Sequence, residues 1–131
     1  MLEINSQRRR VEMSREELFK HFSDFKNMAA IMPENVERFE ADEDSFLFGM
    51  KGLPDVRLRL EGKEEPEFMR FRSASDKLNF QLQVLLHKVD DACEVEYKFA
   101  GEFNAMMRMM VEKPLRNFIE ALAENTARLS A

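Results

Sequence analysis

The sequence predicts an α+β fold: a curved seven-stranded antiparallel sheet wrapped on one long C-terminal helix, with two short helices after the first strand. Three observations carry this. Between Val36 and Phe103 apolar residues recur with period two, in segments separated by short polar turns, as in antiparallel strands with one dry face. From Asn104 almost to the end they recur with helical spacing instead. A capping box, Ser14-Arg15-Glu16-Glu17, opens a short amphipathic stretch between the first strand and the run of strands from Val36. A sheet with a single apolar face must be covered, and only the C-terminal helix is long enough to do so.

Leu2 to Met13 reads as a strand with Leu2 and Ile4 on one face. Val11 and Met13 break that parity, which predicts a bulge or bend near Arg8 to Arg10. After the capping box, Leu18, Phe19, Phe22 and Phe25 form one helical stripe. A second short turn of helix carries Met28, Ile31 and Met32, and Pro33 stops it because the residue before proline is pushed out of the α region. The strands follow in order. Val36 to Ala41 leads to the acidic turn Asp42-Glu43-Asp44-Ser45, then Phe46, Phe48 and Met50 alternate with Leu47, Gly49 and Lys51. Past Gly52-Leu53-Pro54-Asp55, Val56, Leu58 and Leu60 form the dry face against Arg57, Arg59 and Glu61. Pro66 and Glu67 turn the chain into Met69, Phe71 and Ser73. Asp76-Lys77 precedes Leu78, Phe80, Leu82, Val84 and Leu86, and Asp90-Asp91 precedes Cys93, Val95, Tyr97, Phe99, Gly101 and Phe103. Asn104 caps the last helix, whose stripe is Met107, Val111, Leu115, Phe118, Leu122 and Leu129, widened by Met110 and Ile119. Pro114 lies inside it, so the helix bends there or begins afresh.

Composition narrows the function. The 131 residues form one domain, 1–131, long enough to bury a complete core without a metal or a disulfide. Twelve Phe and ten Met stand against one Tyr and no Trp, so the interior is large, apolar and poor in hydrogen-bonding groups. A single cysteine, Cys93, excludes an intrachain disulfide framework. The sequence has no 18-residue apolar run and no apolar stretch of a secretory signal at its start, so a cytoplasmic protein without integral membrane association is expected. Twenty basic and 25 acidic residues, net charge -5, exclude a general polyanion binder, and no DNA partner is expected. Phosphate-binding loops, zincin motifs, paired cysteines and a nucleophile elbow are all missing, so no cofactor or metal is expected.

The order of elements resembles the START and birch-pollen-allergen-like superfamily, the helix-grip fold or SRPBCC group, over nearly the whole chain. The residues that carry the resemblance are Val11-Glu12-Met13 ending the first strand, Ser14 to Phe19 starting the first helix, Asp24-Phe25-Lys26-Asn27, the Met32-Pro33 stop, and Lys113-Pro114-Leu115 in the long helix. Small bacterial members look similar at those points. None of these residues is catalytic, so the marks are specific for fold and weak for function. The resemblance implies a cavity between sheet and long helix, which relatives use for lipids, sterols, quinones, polyketides or plant hormones.

The residues themselves agree in part. Met50, Leu58, Leu60, Met69, Phe71, Phe80, Leu82, Val95, Tyr97 and Phe99 are expected to face inward from the sheet, opposite Met107, Met110, Val111 and Phe118 from the helix, and these fourteen are the candidate ligand-binding residues. Phe46 and Phe48 share the inward face. Such a pocket suits an apolar small molecule oriented by one or two hydrogen bonds, a lipid, quinone or polyketide-like compound. The alternatives are a polyketide cyclase or aromatase-like enzyme using Tyr97, and an interaction module using Arg57, Arg59, Arg70 and Arg72 on the outer sheet face. Tyr97 reads more simply as a core tyrosine, and the arginines as partners of Glu61, Glu94 and Glu96. No catalytic residue is assigned: His21 and His87 are expected to face solvent, and Cys93 to be buried and inert. The acidic segments Asp42 to Asp44 and Glu61 to Glu67 lack the spaced ligands and glycine of a calcium loop. Met106-Met107-Arg108-Met109-Met110 has more methionines than one helix face can bury, so some are expected beside the cavity mouth or at a homodimer contact.

Overall fold

Eight strands form one antiparallel sheet in a computed structural model that describes residues 1–74 and 79–129. They are β1 (Leu2–Asn5), β2 (Arg9–Val11), β3 (Val36–Ala41), β4 (Ser45–Met50), β5 (Val56–Glu64), β6 (Phe68–Ser73), β7 (Asn79–Val89) and β8 (Ala92–Glu102). The order across the sheet is β1-β8-β7-β6-β5-β4-β3, with β2 also on β8. The predicted meander is therefore present from β3 to β8. The Asp76-Lys77 turn and Leu78 lie outside the described residues.

The predicted first strand is broken into β1 and β2, which makes eight strands of the expected seven. Ile4 pairs with Phe99 and Asn5 with Lys98, whereas Arg9 pairs with Val95 and Val11 with Cys93. Between Asn5–Lys98 and Arg9–Val95, three residues of one strand thus oppose two of the other, a one-residue slip that turns odd-numbered Val11 to the same buried side as Leu2 and Ile4. The break lies at Ser6 to Arg8, just before the expected place, and Ser6 holds it: its amide donates to the Tyr97 carbonyl and its hydroxyl accepts from the Tyr97 amide, both at 2.9 Å. Further register shifts occur between Val36 and Arg38 and between Leu60 and Gly62. Each adds local twist and helps the sheet curl.

Helix α1 (Arg15–Ser23) starts at the capping box, where the Glu17 amide donates to the Ser14 hydroxyl at 3.1 Å. A 3-10 helix over Phe25–Ile31 follows directly, capped by Asp24 and ended at Met32 before Pro33. Phe25 belongs to this second helix and not to the first. Helix α2 (Ala105–Ala127) is capped by Asn104, whose side chain accepts from the Met107 amide at 2.8 Å. It continues through Pro114 as one helix and does not begin afresh there.

The core lies between the concave face of the sheet and the helices. Leu18, Phe19, Phe22, Phe25, Met28 and Ile31 plug one end of it. Val111, Phe118, Ile119, Leu122 and Ala123 cover the rest from α2. Phe25, Phe46 and Phe71 meet edge to face with centroids 5.3 to 6.2 Å apart, a favoured aromatic geometry. This half of the interior is closely filled.

Candidate functional site

The other half is not. Beneath the first turns of α2 lies an apolar slot of about 50 Å³. Phe48 and Met50 of β4 and Val56 and Leu58 of β5 form one wall, joined by Leu53 and Pro54 of the intervening turn. Gly52 takes φ 84° in that turn, a left-handed conformation that costs glycine little. Phe80, Leu82, Phe99 and Phe103 form the facing wall, and Met107, Val111, Leu115, Phe118 and Ile119 of α2 the roof. Gly101 packs closely against Phe80 and Phe103 of that wall. A Cβ there would come 2.8 Å from the Phe80 Cβ and 3.0 Å from a ring carbon of Phe103.

Of the fourteen candidate residues, Met50, Leu58, Phe80, Leu82, Phe99, Met107, Val111 and Phe118 line the slot. Phe71 and Tyr97 line a second void of only about 10 Å³ deeper in the core. Met69 and Val95 are buried in the core away from both voids, and Leu60 is half-buried. Met110 points to solvent, 59% exposed, because the stripe of α2 is narrower at its start than the spacing of apolar residues implies. The liners Leu53, Pro54, Val56, Phe103, Leu115 and Ile119 were not among the candidates, nor was Phe48, although its inward face was expected. Two apolar residues in a Gly-Leu-Pro-Asp turn were the available signal for Leu53 and Pro54.

Phe48, Leu82 and Phe118 line both voids and so form the partition between them. The Phe48 and Phe118 rings stack with centroids 4.9 Å apart and planes 11° from parallel. Met107, Leu53, Leu115 and Phe103, at the rim, are only half-buried. The slot is thus firm at its floor and soft at its mouth.

Among the described residues, no titratable side chain lines the slot. Tyr97 lies outside it and is satisfied, with its hydroxyl 2.7 Å from the Thr126 hydroxyl. Burial pushes its ionisation up, only partly opposed by that hydrogen bond. Burial likewise pushes the Cys93 thiol up to about 11, with nearby Glu16 adding to the effect. A thiol so placed is a poor nucleophile. His21 and His87 are half-buried. His87 bonds Glu96 at 3.0 Å, and the same carboxylate lies 3.7 Å from Arg8. Among the described residues, no group of three or more His, Cys, Asp or Glu side chains is placed to hold a metal ion.

On the outer sheet face most arginines have carboxylate partners. Glu61 lies 3.1 Å from Arg72 and 3.7 Å from Arg70, and Arg57 meets Asp42 at 3.0 Å. Arg59 stands opposite Arg72 across the strands.

No protein-family model matches the sequence, and no curated protein matches it in sequence. Solved structures do match. A protein from Thermus thermophilus is 18% identical, with a TM-score of 0.72 over 96% of this chain and 94% of its own. A point mutant of norcoclaurine synthase from Thalictrum flavum, in complex with a transition-state analogue, is 10% identical, with a TM-score of 0.68 over 95% of this chain and 93% of its own. The Aha1 dimer from Colwellia psychrerythraea is 13% identical, with a TM-score of 0.60 over 95% of this chain and 98% of its own. At these identities the likeness shows the helix-grip fold.

Proposed function

We propose that this chain is a START-like helix-grip protein of the cytoplasm that binds a hydrophobic small molecule, of lipid, quinone or polyketide-like character, in the slot under α2. The observation that carries the reading is the lining: fifteen residues, all apolar, at the place between sheet and helix where the fold leaves room. Ligand sites are mostly apolar concavities with a few polar groups for orientation, and here even those few are missing among the described residues. The preferred ligand is therefore weakly polar and held by shape. Drug-sized ligands need pockets of roughly 300 to 1,000 Å³. The slot is smaller, so a ligand of that size enters by displacing the soft rim, where Met107 has the rotamer freedom to yield.

An enzymatic reading has less support. The norcoclaurine synthase neighbour is in complex with a transition-state analogue, so the fold accommodates an enzyme. Acid–base catalysis needs a titratable group within hydrogen-bond reach of the reacting atom, and among the described residues no such side chain lines this slot.

The test is titration of the purified protein with N-phenyl-1-naphthylamine, an uncharged fluorophore that brightens in apolar surroundings. Saturable binding is expected, weakened at least about tenfold by Val111→Phe, which fills the slot from the roof. No saturable binding, or equal binding by the variant, overturns the reading.

A further inference from the structure

We propose that the start of α2 docks on an anionic phospholipid surface, with Met106, Met109 and Met110 entering the headgroup boundary beside the slot. These side chains are 75%, 85% and 59% exposed, on a helix whose other large apolar residues are buried or half-buried. Met106 and Met110 are one helical turn apart, and Met110 is one turn from Met107, whose side chain lines the slot. The exposed patch is thus continuous with the rim of the site.

Charge selects the partner. Between Ala105 and Arg116 the helix carries Arg108, Lys113 and Arg116 against the single carboxylate Glu112, in a chain whose net charge is -5. Glu112 bonds both arginines, at 3.1 and 3.2 Å, which leaves Lys113 with no ion-pair partner among the described residues. Three acidic turns lie at the opposite end of the molecule, because strands that run antiparallel place alternate turns together. Of the carboxylates near α2, Asp55 is paired with Arg38 at 2.7 Å and Glu102 ends β8. Asp42-Glu43-Asp44, Glu64-Glu65 with Glu67, and Asp90-Asp91 all fall at the far end, while the Gly52 turn and the start of α2 share the near one. The fourth exposed large hydrophobic among the described residues, Met1, is at the near end too, since Leu2 pairs with Gly101. A segment with apolar side chains flanked by Lys and Arg, and with the acidic turns held away, suits the interface of an anionic bilayer. Among the described residues no helix is long and apolar enough to cross a membrane, and the docking proposed is peripheral.

The docking stands on the exposed methionines and their charge. Passage of a ligand from the bilayer to the slot rests on the apolar-ligand reading above. The test is co-flotation of the whole chain with vesicles of equal parts phosphatidylglycerol and phosphatidylcholine, against vesicles of phosphatidylcholine alone. Binding to the anionic vesicles is expected to fall with added salt, and to drop at least about tenfold in M106S/M109S/M110S, whose thermal melt should match the parent because all three side chains are exposed. Absence of flotation, or flotation unchanged in the triple variant, overturns the proposal. So does a concentration-dependent dimer that the same substitutions abolish, since that assigns the patch to a second copy of the chain. Fluorophore titration without vesicles reports the slot separately, so failure of docking and failure of ligand binding are told apart.

Discussion

Tyr97 of β8 and Thr126 of α2 share a buried hydrogen bond of 2.7 Å that ties the sheet to the last turns of the long helix. Thr126 gives its one hydroxyl hydrogen to the Leu122 carbonyl, also at 2.7 Å, so Tyr97 is the donor between them. Tyr97, one of the fourteen candidate ligand-binding residues, is thus the core tyrosine of the simpler sequence reading, and it acts as a clamp between sheet and helix.

The clamp predicts an asymmetry. Tyr97→Phe removes one hydrogen bond and leaves Thr126 bonded to Leu122, at a cost of about 1 kcal/mol. Thr126→Val leaves a buried phenol without a partner and costs more, about 1 to 3 kcal/mol. Urea denaturation measures both. Fluorophore affinity should hardly change in either variant, because the Tyr97 side chain does not line the slot. A large loss of affinity at unchanged stability would mean that the hydroxyl meets the ligand after all.

Cys93 and Tyr97 predict alkaline instability. The folded-state ionisation of each is raised, so the unfolded chain loses its proton first as pH rises. The stability that Cys93 contributes is complete below about pH 9 and disappears as pH passes through about 11. Cys93→Ala should remove much of the loss between pH 9 and 11 in equilibrium unfolding. The native thiol should react with a disulfide reagent only after unfolding, because it is buried.

Gly101→Ala tests the slot wall that Phe80 and Phe103 form. Its new methyl would meet the Phe80 Cβ at 2.8 Å, and backbone-linked carbon gives way less easily than the end of a flexible chain. Overpacking of this kind costs about 1 to 3 kcal/mol. Phe80 and Phe103 both line the slot, so their displacement should also change fluorophore affinity. Unchanged melting temperature and affinity would show that this wall adapts freely.

Phe118→Leu tests the partition. Loss of the ring stacked on Phe48 should cost about 1 to 3 kcal/mol, less than truncation to alanine. It should join the slot to the void behind it and admit bulkier apolar fluorophores than the parent accepts. If the variant excludes the same probes as the parent, the partition is not what limits ligand size.

The sheet, its turns and both capped helices were legible because their signals are local. Period two showed which side of each strand is dry, Ser14 and Asn104 marked the helix starts, and the clash of parity between Ile4 and Val11 revealed the break in the first strand. The slot was legible only in part. Facing inward is common to Phe71 and Phe80, yet the first packs edge to face against Phe25 and Phe46 while the second lines open space. Periodicity gives no information about Leu53 and Pro54, which belong to a turn, nor about where the roof ends, which is why Met110 was expected inside.

What the sequence by itself determined is the set of faces: apolar residues at spacings of two and of three to four must turn to one side, whatever lies there. Only the tertiary structure decided which part of that side stays unfilled. A void depends on the distance between side chains brought together from remote parts of the chain, as Phe48 of β4 meets Phe118 of α2. It equally decided that Tyr97 is a clamp, because its partner Thr126 comes from the far end of another element and no spacing in the chain announces it.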